Sequence, residues 1–289
     1  MNLDIKKSIL SIFNDKNFIF KTIILSTVLY TLFQITELLN LSKYPVYLCI
    51  ISYCIFIFLS CITIGYLSVF INNEINSNYP LLPEWKFNLL RNYLKIGFKV
   101  FIIYIIYSLI TVAIFGLGTM FFGLFLSLEK YLIFYMQSHL NLFETGYYSK
   151  LFGIILSVLS HLNLFLMQLY FLFEIIFLSF CGVVFTISYC NYSDKFKFKD
   201  SFKFSKIFKI MSLYKWKIIC LLTVLFFFYM TAFFIYFFLY EYLKWNLILN
   251  IIIVFFNLYL GTLIYLVCFN LFARMYKVYN SSSLTNQNI

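Results

Sequence analysis

Charge is scarce in this chain. Only 11% of its 289 residues are Asp, Glu, Lys or Arg, and 63% are hydrophobic. A soluble domain carries about 25% charged residues and has no means of hiding so much apolar surface. Histidine is scarcer still. His139 and His161 are the two in the chain, and neither has a second ligand at metal-binding spacing. The sequence has no GxSxG, no HExxH, no Walker loop and no kinase motif set. With so few polar residues outside the apolar runs, a catalytic centre is not expected, nor a metal or cofactor. The seven cysteines lie in or beside apolar runs and form no CxxC pair, so they read as small hydrophobes. GxxxG is absent too, which removes the best-known signal for a helix dimer.

What is present is a series of long apolar stretches, each about the 20 residues that a helix needs to cross a bilayer. They predict an all-α, polytopic transmembrane bundle of six spans, near 18–39, 46–71, 100–122, 164–189, 218–240 and 247–269. The basic start before Phe18 does not mark a cleaved leader. The apolar run is too long, and no small-x-small site follows it. One run exceeds a single crossing. As a straight helix, Leu151–Tyr189 would extend about 58 Å, against a hydrocarbon core of about 30 Å. It must protrude, tilt or break, and Ser160-His161-x-Asn163 offers a hinge or an interface. The mixed segment Glu129–Lys150 reads either as an outer surface piece or as a re-entrant one. Residues 1–280 are expected to form one membrane domain, with 281–289 as a polar tail.

The densest charge lies in Asp194–Lys217, DKFKFKDSFKFSKIFKIMSLYKWK, between two apolar runs. Phe204, Ile207, Phe208 and Met211 recur at helical spacing, with Lys199, Lys203 and Lys206 on another face. A similar pattern follows Pro83-Glu84, which reads as a helix start. There Phe87, Leu90, Leu94, Phe98 and Phe101 share one face, and Asn88, Arg91, Lys95 and Lys99 another. Both segments, about 84–98 and 198–213, are expected to be amphipathic helices at the membrane surface. Gly116, Gly118 and Gly123 are expected to permit close helix approach or a bend. With six spans, Lys43, Lys130, Lys150 and Lys244 fall on one side and the remaining basic residues on the other. The positive-inside rule then puts both termini in the cytoplasm of a multi-pass cell-membrane protein. The same rule explains the net charge of +11 without nucleic acid.

Several of these residues carry a resemblance. A span ending in Gly65-Tyr66, then Leu82-Pro83-Glu84-Trp85, then an amphipathic helix with Gly97 resembles a family of uncharacterised prokaryotic membrane proteins, domain-of-unknown-function family 4013. The opening SIFNDKNFIFK and the segment from Ser201-Phe202 to Tyr214 are similar to further parts of that family. A small residue usual beside that Phe is Ser in this chain. The resemblance implies a membrane helix bundle across nearly the whole chain. It brings no activity, cofactor or catalytic residue.

Two candidate sites follow. Glu174 is the one acid deep within a predicted span, and such residues are functional candidates by default. Asn163 lies on nearly the same helical face, so the pair either lines a path for a proton or substrate or supports packing. Lys199, Lys203, Lys206, Arg91 and Lys95 form a cationic surface. It either docks anionic lipid headgroups or a membrane or cytoplasmic protein partner, or serves only to set topology. The functional expectation is a non-enzymatic membrane scaffold or accessory protein with a basic cytoplasmic surface. The alternative is a small transporter or permease with Glu174 in its path. The two halves also align loosely as span, basic helix and span, the form of an internal duplication.

Overall fold

The computed structural model is helical throughout its regular elements. It describes the backbone of residues 10–15, 17–40, 46–78, 80–140, 146–243 and 247–285, with side chains mainly over 10–32, 47–120, 170–227 and 252–282. The helices are α1 (Phe18–Asn40), α2 (Val46–Asn76), α3 (Phe87–Leu140), α4 (Gly146–Lys195), α5 (Phe204–Leu243) and α6 (Leu247–Thr285). A 3₁₀ turn, Phe198–Phe202, joins α4 to α5. Among the described residues, five segments are long and apolar enough to cross a membrane: Tyr47–Asn76, Phe87–Met120, Tyr170–Lys195, Phe204–Phe227 and Ile252–Ser282. Phe18–Leu32 is a shorter apolar helix. The chain is therefore a polytopic membrane helix bundle.

The helices form two compact units, residues 1–104 with 183–289 and residues 105–182. In the larger one, α1 packs on α2 and α6, and α6 packs on α2 and α5. Its interior holds Tyr66, Phe70 and Ile71 of α2, Tyr93 and Ile103 of α3, Ile187 and Tyr192 of α4, and Ile207 of α5. The outward surface of α2, including Ile50, Tyr53 and Phe58, is apolar and exposed, as hydrocarbon contact requires. The smaller unit consists of the helical stretches 105–140 and 146–182. Each is about 54 Å long at 1.5 Å per residue.

Several local expectations are corrected. The helix after Pro83 begins at Phe87, because residues 83–86 run non-helically. The protein-facing side of α3, on which nothing was expected, is Tyr93, Ile96, Val100 and Ile103, while Phe87 and Phe98 are exposed. On α5, Ile207, Ile210 and Tyr214 are buried, while Phe204 and Phe208 are exposed. Contrast with lysine does not tell the protein-facing side of a membrane helix from its lipid-facing one. The backbone of α4 is helical through 160–163, so no break occurs there, and residues 129–140 extend α3. The last helix continues into the expected polar tail as far as Thr285.

Close approach occurs at a different pair of glycines. A Cβ at Gly97 would lie 1.7 Å from the Cys61 carbonyl oxygen, and one at Gly65 would lie 1.9 Å from that of Tyr93. At Gly116, Gly118 and Gly123 a Cβ would meet nothing within 4 Å. The crossing of α2 and α3 is thus backbone against backbone, and only glycine fits at its centre. Tyr66 beside it stacks on Trp85 at 4.3 Å between ring centroids and meets Tyr93 edge-on.

Candidate interaction surface over a polar clasp

Two helices end in the same way. After α2, Ser77 has φ 59°, and after α4, Phe196 has φ 52°. The left-handed residue turns the chain out of the helix, and its own amide or the next one bonds back to a carbonyl of the last turns. Asn78 N–H donates to the Asn73 carbonyl at 2.8 Å, and Phe196 N–H to that of Tyr192 at 2.7 Å. Side chains from other elements hold these ends. Asn72 Nδ2 donates to the carbonyls of Ser193 and Asp194, at 2.7 and 2.9 Å. Lys277 Nζ donates to the Glu74 carbonyl at 3.2 Å. Orphan carbonyls of the last turn are thereby satisfied away from water.

Around these ends lies a layer of buried polar contacts. Lys21, 5% exposed, pairs with Asp15 at 2.7 Å and donates to the Leu82 carbonyl at 2.6 Å. Asp15 also accepts from Leu82 N–H at 2.8 Å. Trp85 Nε1 donates to the Lys21 carbonyl, and Tyr93 Oη to that of Glu84. The Leu82–Trp85 link is therefore a docked strap rather than a free loop. A second group joins α2 to α6. Arg274 Nε lies 2.8 Å from the Glu74 carboxylate, and Arg274 also donates to Ser11 Oγ at 2.8 Å. A third joins α4, α5 and α6. Lys206 Nζ donates to Tyr276 Oη at 2.6 Å, and Tyr276 donates to Asp194 at 3.2 Å. Tyr189 Oη donates to the Ile64 carbonyl at 2.5 Å and accepts from Ser68. Ser188 donates to the Ser201 carbonyl at 2.6 Å, and Tyr192 to that of Ile96. At the middle of this layer Asn191 is 1% exposed, with no partner for its amide atoms among the described residues.

These contacts gather the segment before α1, both interhelical links and the last turns of α6 at one end of the larger unit. Outside the layer the basic side chains face outward. Arg91, Lys95, Lys99, Lys197, Lys199 and Lys209 are exposed and form no ion pair among the described residues. Lys203 is exposed and paired with Asp200 at 2.6 Å, and Lys86 with Glu84. Exposed pairs of this kind contribute about 0–1 kcal/mol. Lys206 departs from the expected surface. It turns inward, with its ammonium 4.1 Å from the Tyr276 ring centroid. Of the lysine and arginine candidates, four belong to the outer surface and Lys206 to the clasp.

Glu174 is half-buried in the smaller unit, and the hydroxyl of Tyr170, one turn earlier, hydrogen-bonds it. The side chains of Asn163, His139 and His161 lie outside the described residues, so the expected Glu174–Asn163 face does too. No group of three His, Cys, Asp or Glu among the described residues is placed to hold a metal. All seven cysteines are free, with Cys61, Cys190 and Cys268 buried. Sequence reasoning missed the clasp. Its signals were an acid and three asparagines closing an otherwise apolar α2, and Asp15 preceding Lys21, but nothing in one sequence says which distant groups meet.

A family model described as a protein of unknown function, DUF4013, matches residues 48–241. That stretch holds the Gly65–Gly97 crossing, the Leu82–Trp85 strap and the lysine-rich turn. No curated protein and no solved structure matches the chain.

Proposed function

The chain belongs to the DUF4013 family of proteins of unknown function, and from that premise we propose that it is a non-enzymatic membrane scaffold or accessory protein. Its basic face lies on the cytoplasmic side, in keeping with the positive-inside rule, and engages an anionic partner. The observation that carries this reading is the clasp beneath that face. Three groups of largely buried polar contacts tie together the stretch before α1, the strap at Leu82 and helices α1, α2, α4, α5 and α6. The outward lysines then project from a rigid support, and a rigid support reduces the ordering cost of binding.

The transporter reading rests on Glu174. Its hydrogen bond with Tyr170 gives the carboxyl a partner on its own helix, which favours packing over a relay. Mild detergent extraction of the full chain from its native membrane tests the scaffold reading. A stoichiometric component that co-purifies, and is lost when Lys199 and Lys209 are changed to Gln, supports it. Proteoliposome uptake that disappears in Glu174→Gln would instead favour transport.

A further inference from the structure

We infer that the 3₁₀ turn and the first turns of α5 form a binding belt for anionic phospholipid headgroups. This rests on the scaffold reading and names the partner of its basic face. The segment is bounded by two breaks. Lys203 separates the turn from α5, and Tyr214 interrupts α5 with φ −108° and ψ 15°. Between them Ile207 and Ile210 are fully buried, and Tyr214 continues the same stripe. That stripe fastens the segment to the bundle. The opposite surface carries both lysines and large apolar groups. Lys199 and Lys209 are exposed beside Phe198, Phe204, Phe208 and Leu213, which are 37–62% exposed. Trp216 is 74% exposed, with Lys215 Nζ 5.9 Å from its ring centroid. Lys217, next to Trp216, is the last exposed charge; beyond it, as far as Phe227, the exposed residues are uncharged and mostly apolar, with Ile219, Val224 and Phe227 among them.

This order places Trp216 at the boundary between hydrocarbon and headgroups, where tryptophan concentrates. The kink at Tyr214 falls at the same boundary. Phe204, Phe208 and Leu213 lie on the headgroup side of it with 42–62% of their surface exposed. Laid into the boundary region that exposed apolar area is covered, and the neighbouring lysines then meet lipid phosphates. A soluble acidic protein would satisfy the lysines but not the aromatic side chains between them. An anionic lipid satisfies both. Lys206, turned inward onto Tyr276, takes no part.

The test uses the full chain reconstituted in phosphatidylcholine bilayers containing brominated phosphatidylglycerol or brominated phosphatidylcholine. Quenching of tryptophan emission is read, and the trace of Trp216→Phe is subtracted to isolate Trp216. Phosphatidylglycerol is expected to outcompete phosphatidylcholine at this site. The preference should fall roughly fivefold for each of Lys199→Gln and Lys209→Gln, the value of one lysine near an anionic leaflet. It should shrink at high salt and survive Lys199→Arg/Lys209→Arg. Lys206→Gln removes the same charge from the same segment and should leave the preference intact, provided it remains monodisperse. Lys206→Met is the second inward variant if it does not. Equal loss in the inward and outward variants would overturn the proposal, since net charge alone would then explain binding. Equal quenching by the two lipids overturns it as well. If a protein still co-purifies in a Lys199- and Lys209-dependent way, the scaffold reading stands with a protein partner. If none does, that reading falls too.

Discussion

Replacing Gly97 with alanine should open the bundle at its tightest point. The added Cβ would lie 1.7 Å from the Cys61 carbonyl oxygen, and an ordinary contact of carbon with carbonyl oxygen is about 3.3 Å or longer. Helices α2 and α3 must therefore separate by more than an ångström, because the obstacle is backbone and has no rotamer to adopt. A gap of about 0.5–1 Å already forfeits a quarter to a half of each dispersion contact, and the Tyr66, Trp85 and Tyr93 rings all pack beside this crossing. Overpacking costs about 1–3 kcal/mol, and a backbone obstacle puts this site at the upper end. Alanine returns about 1 kcal/mol of helix propensity. The net loss is about 2 kcal/mol, or about 4–8 °C in melting temperature for a chain of this size. Thermal unfolding in detergent, followed by circular dichroism and tryptophan emission, measures it. Gly116→Ala is the control, since a Cβ there meets nothing within 4 Å, and it should be neutral or stabilising. The double variant Gly65→Ala/Gly97→Ala should cost less than the two single losses added together, because one separation relieves both contacts. A Gly97→Ala protein that melts at or above the wild-type temperature would refute the reasoning.

Arg274→Met removes the partner of Glu74, itself 6% exposed, and should cost about 3–5 kcal/mol in stability. Pairing it with Glu74→Gln should recover part of that, and a single-variant loss under about 1 kcal/mol would show that the pair is not desolvated. Asp15→Ala leaves both the Lys21 ammonium and the Leu82 N–H without the acceptor they share. The strap should then detach, giving faster proteolysis across residues 77–86 and a shift in Trp85 emission as its stack on Tyr66 loosens. Unchanged cleavage would assign the strap's stability to its buried leucines alone. Single cysteines at positions 43 and 203, in a background stripped of native cysteine, should label from opposite sides of the membrane. Labelling of both from one side would end the reading of an even number of spans.

The spans were legible because hydrocarbon tolerates so little. A run from Val46 to Ile71 without a charge has few other places to lie. Which side of each helix faces protein was not legible, and the reason is physical. In water, the apolar stripe of a helix is its buried stripe. In a bilayer the surroundings are as apolar as the interior, so Phe98 and Ile96 are equally at home on α3, yet Phe98 is 54% exposed and Ile96 9%. Lysine spacing picked out residues that are exposed, Arg91, Lys95 and Lys99 on α3 and Lys199 and Lys203 ahead of α5, and said nothing of which apolar side meets protein. Lys206 shows the converse error. It shares a spacing with Lys199 and Lys203, but a tyrosine on the last helix draws it inward, and no local pattern reports a partner that far along the chain. Glycine was the better guide to packing. Gly65 and Gly97, already singled out beside their neighbours, form the crossing, while the more conspicuous cluster at Gly116, Gly118 and Gly123 has open space around it.

The loose likeness between the two halves gains a specific form and then breaks. Both α2 and α4 stop at a left-handed residue, Ser77 and Phe196, and in each an asparagine precedes it at the same distance, Asn72 and Asn191. If the halves were equivalent, each asparagine would cap the other helix. Asn72 does so, donating to the final carbonyls of α4. Asn191 does not. The Glu74 carbonyl of α2 is held by Lys277 from the last helix instead, and the Asn191 amide is buried without a partner among the described residues. A buried amide left unpaired costs about 1–3 kcal/mol, so an asparagine is an expensive choice at that position unless a group other than the described residues bonds it. An ordered water with two or more polar contacts is the least demanding candidate. Asn191→Leu separates the two explanations by its effect on thermal stability. If water bridges Asn191, leucine there expels it and strands its other partners, and stability falls. If the amide is unsatisfied, leucine removes the penalty and the protein gains stability.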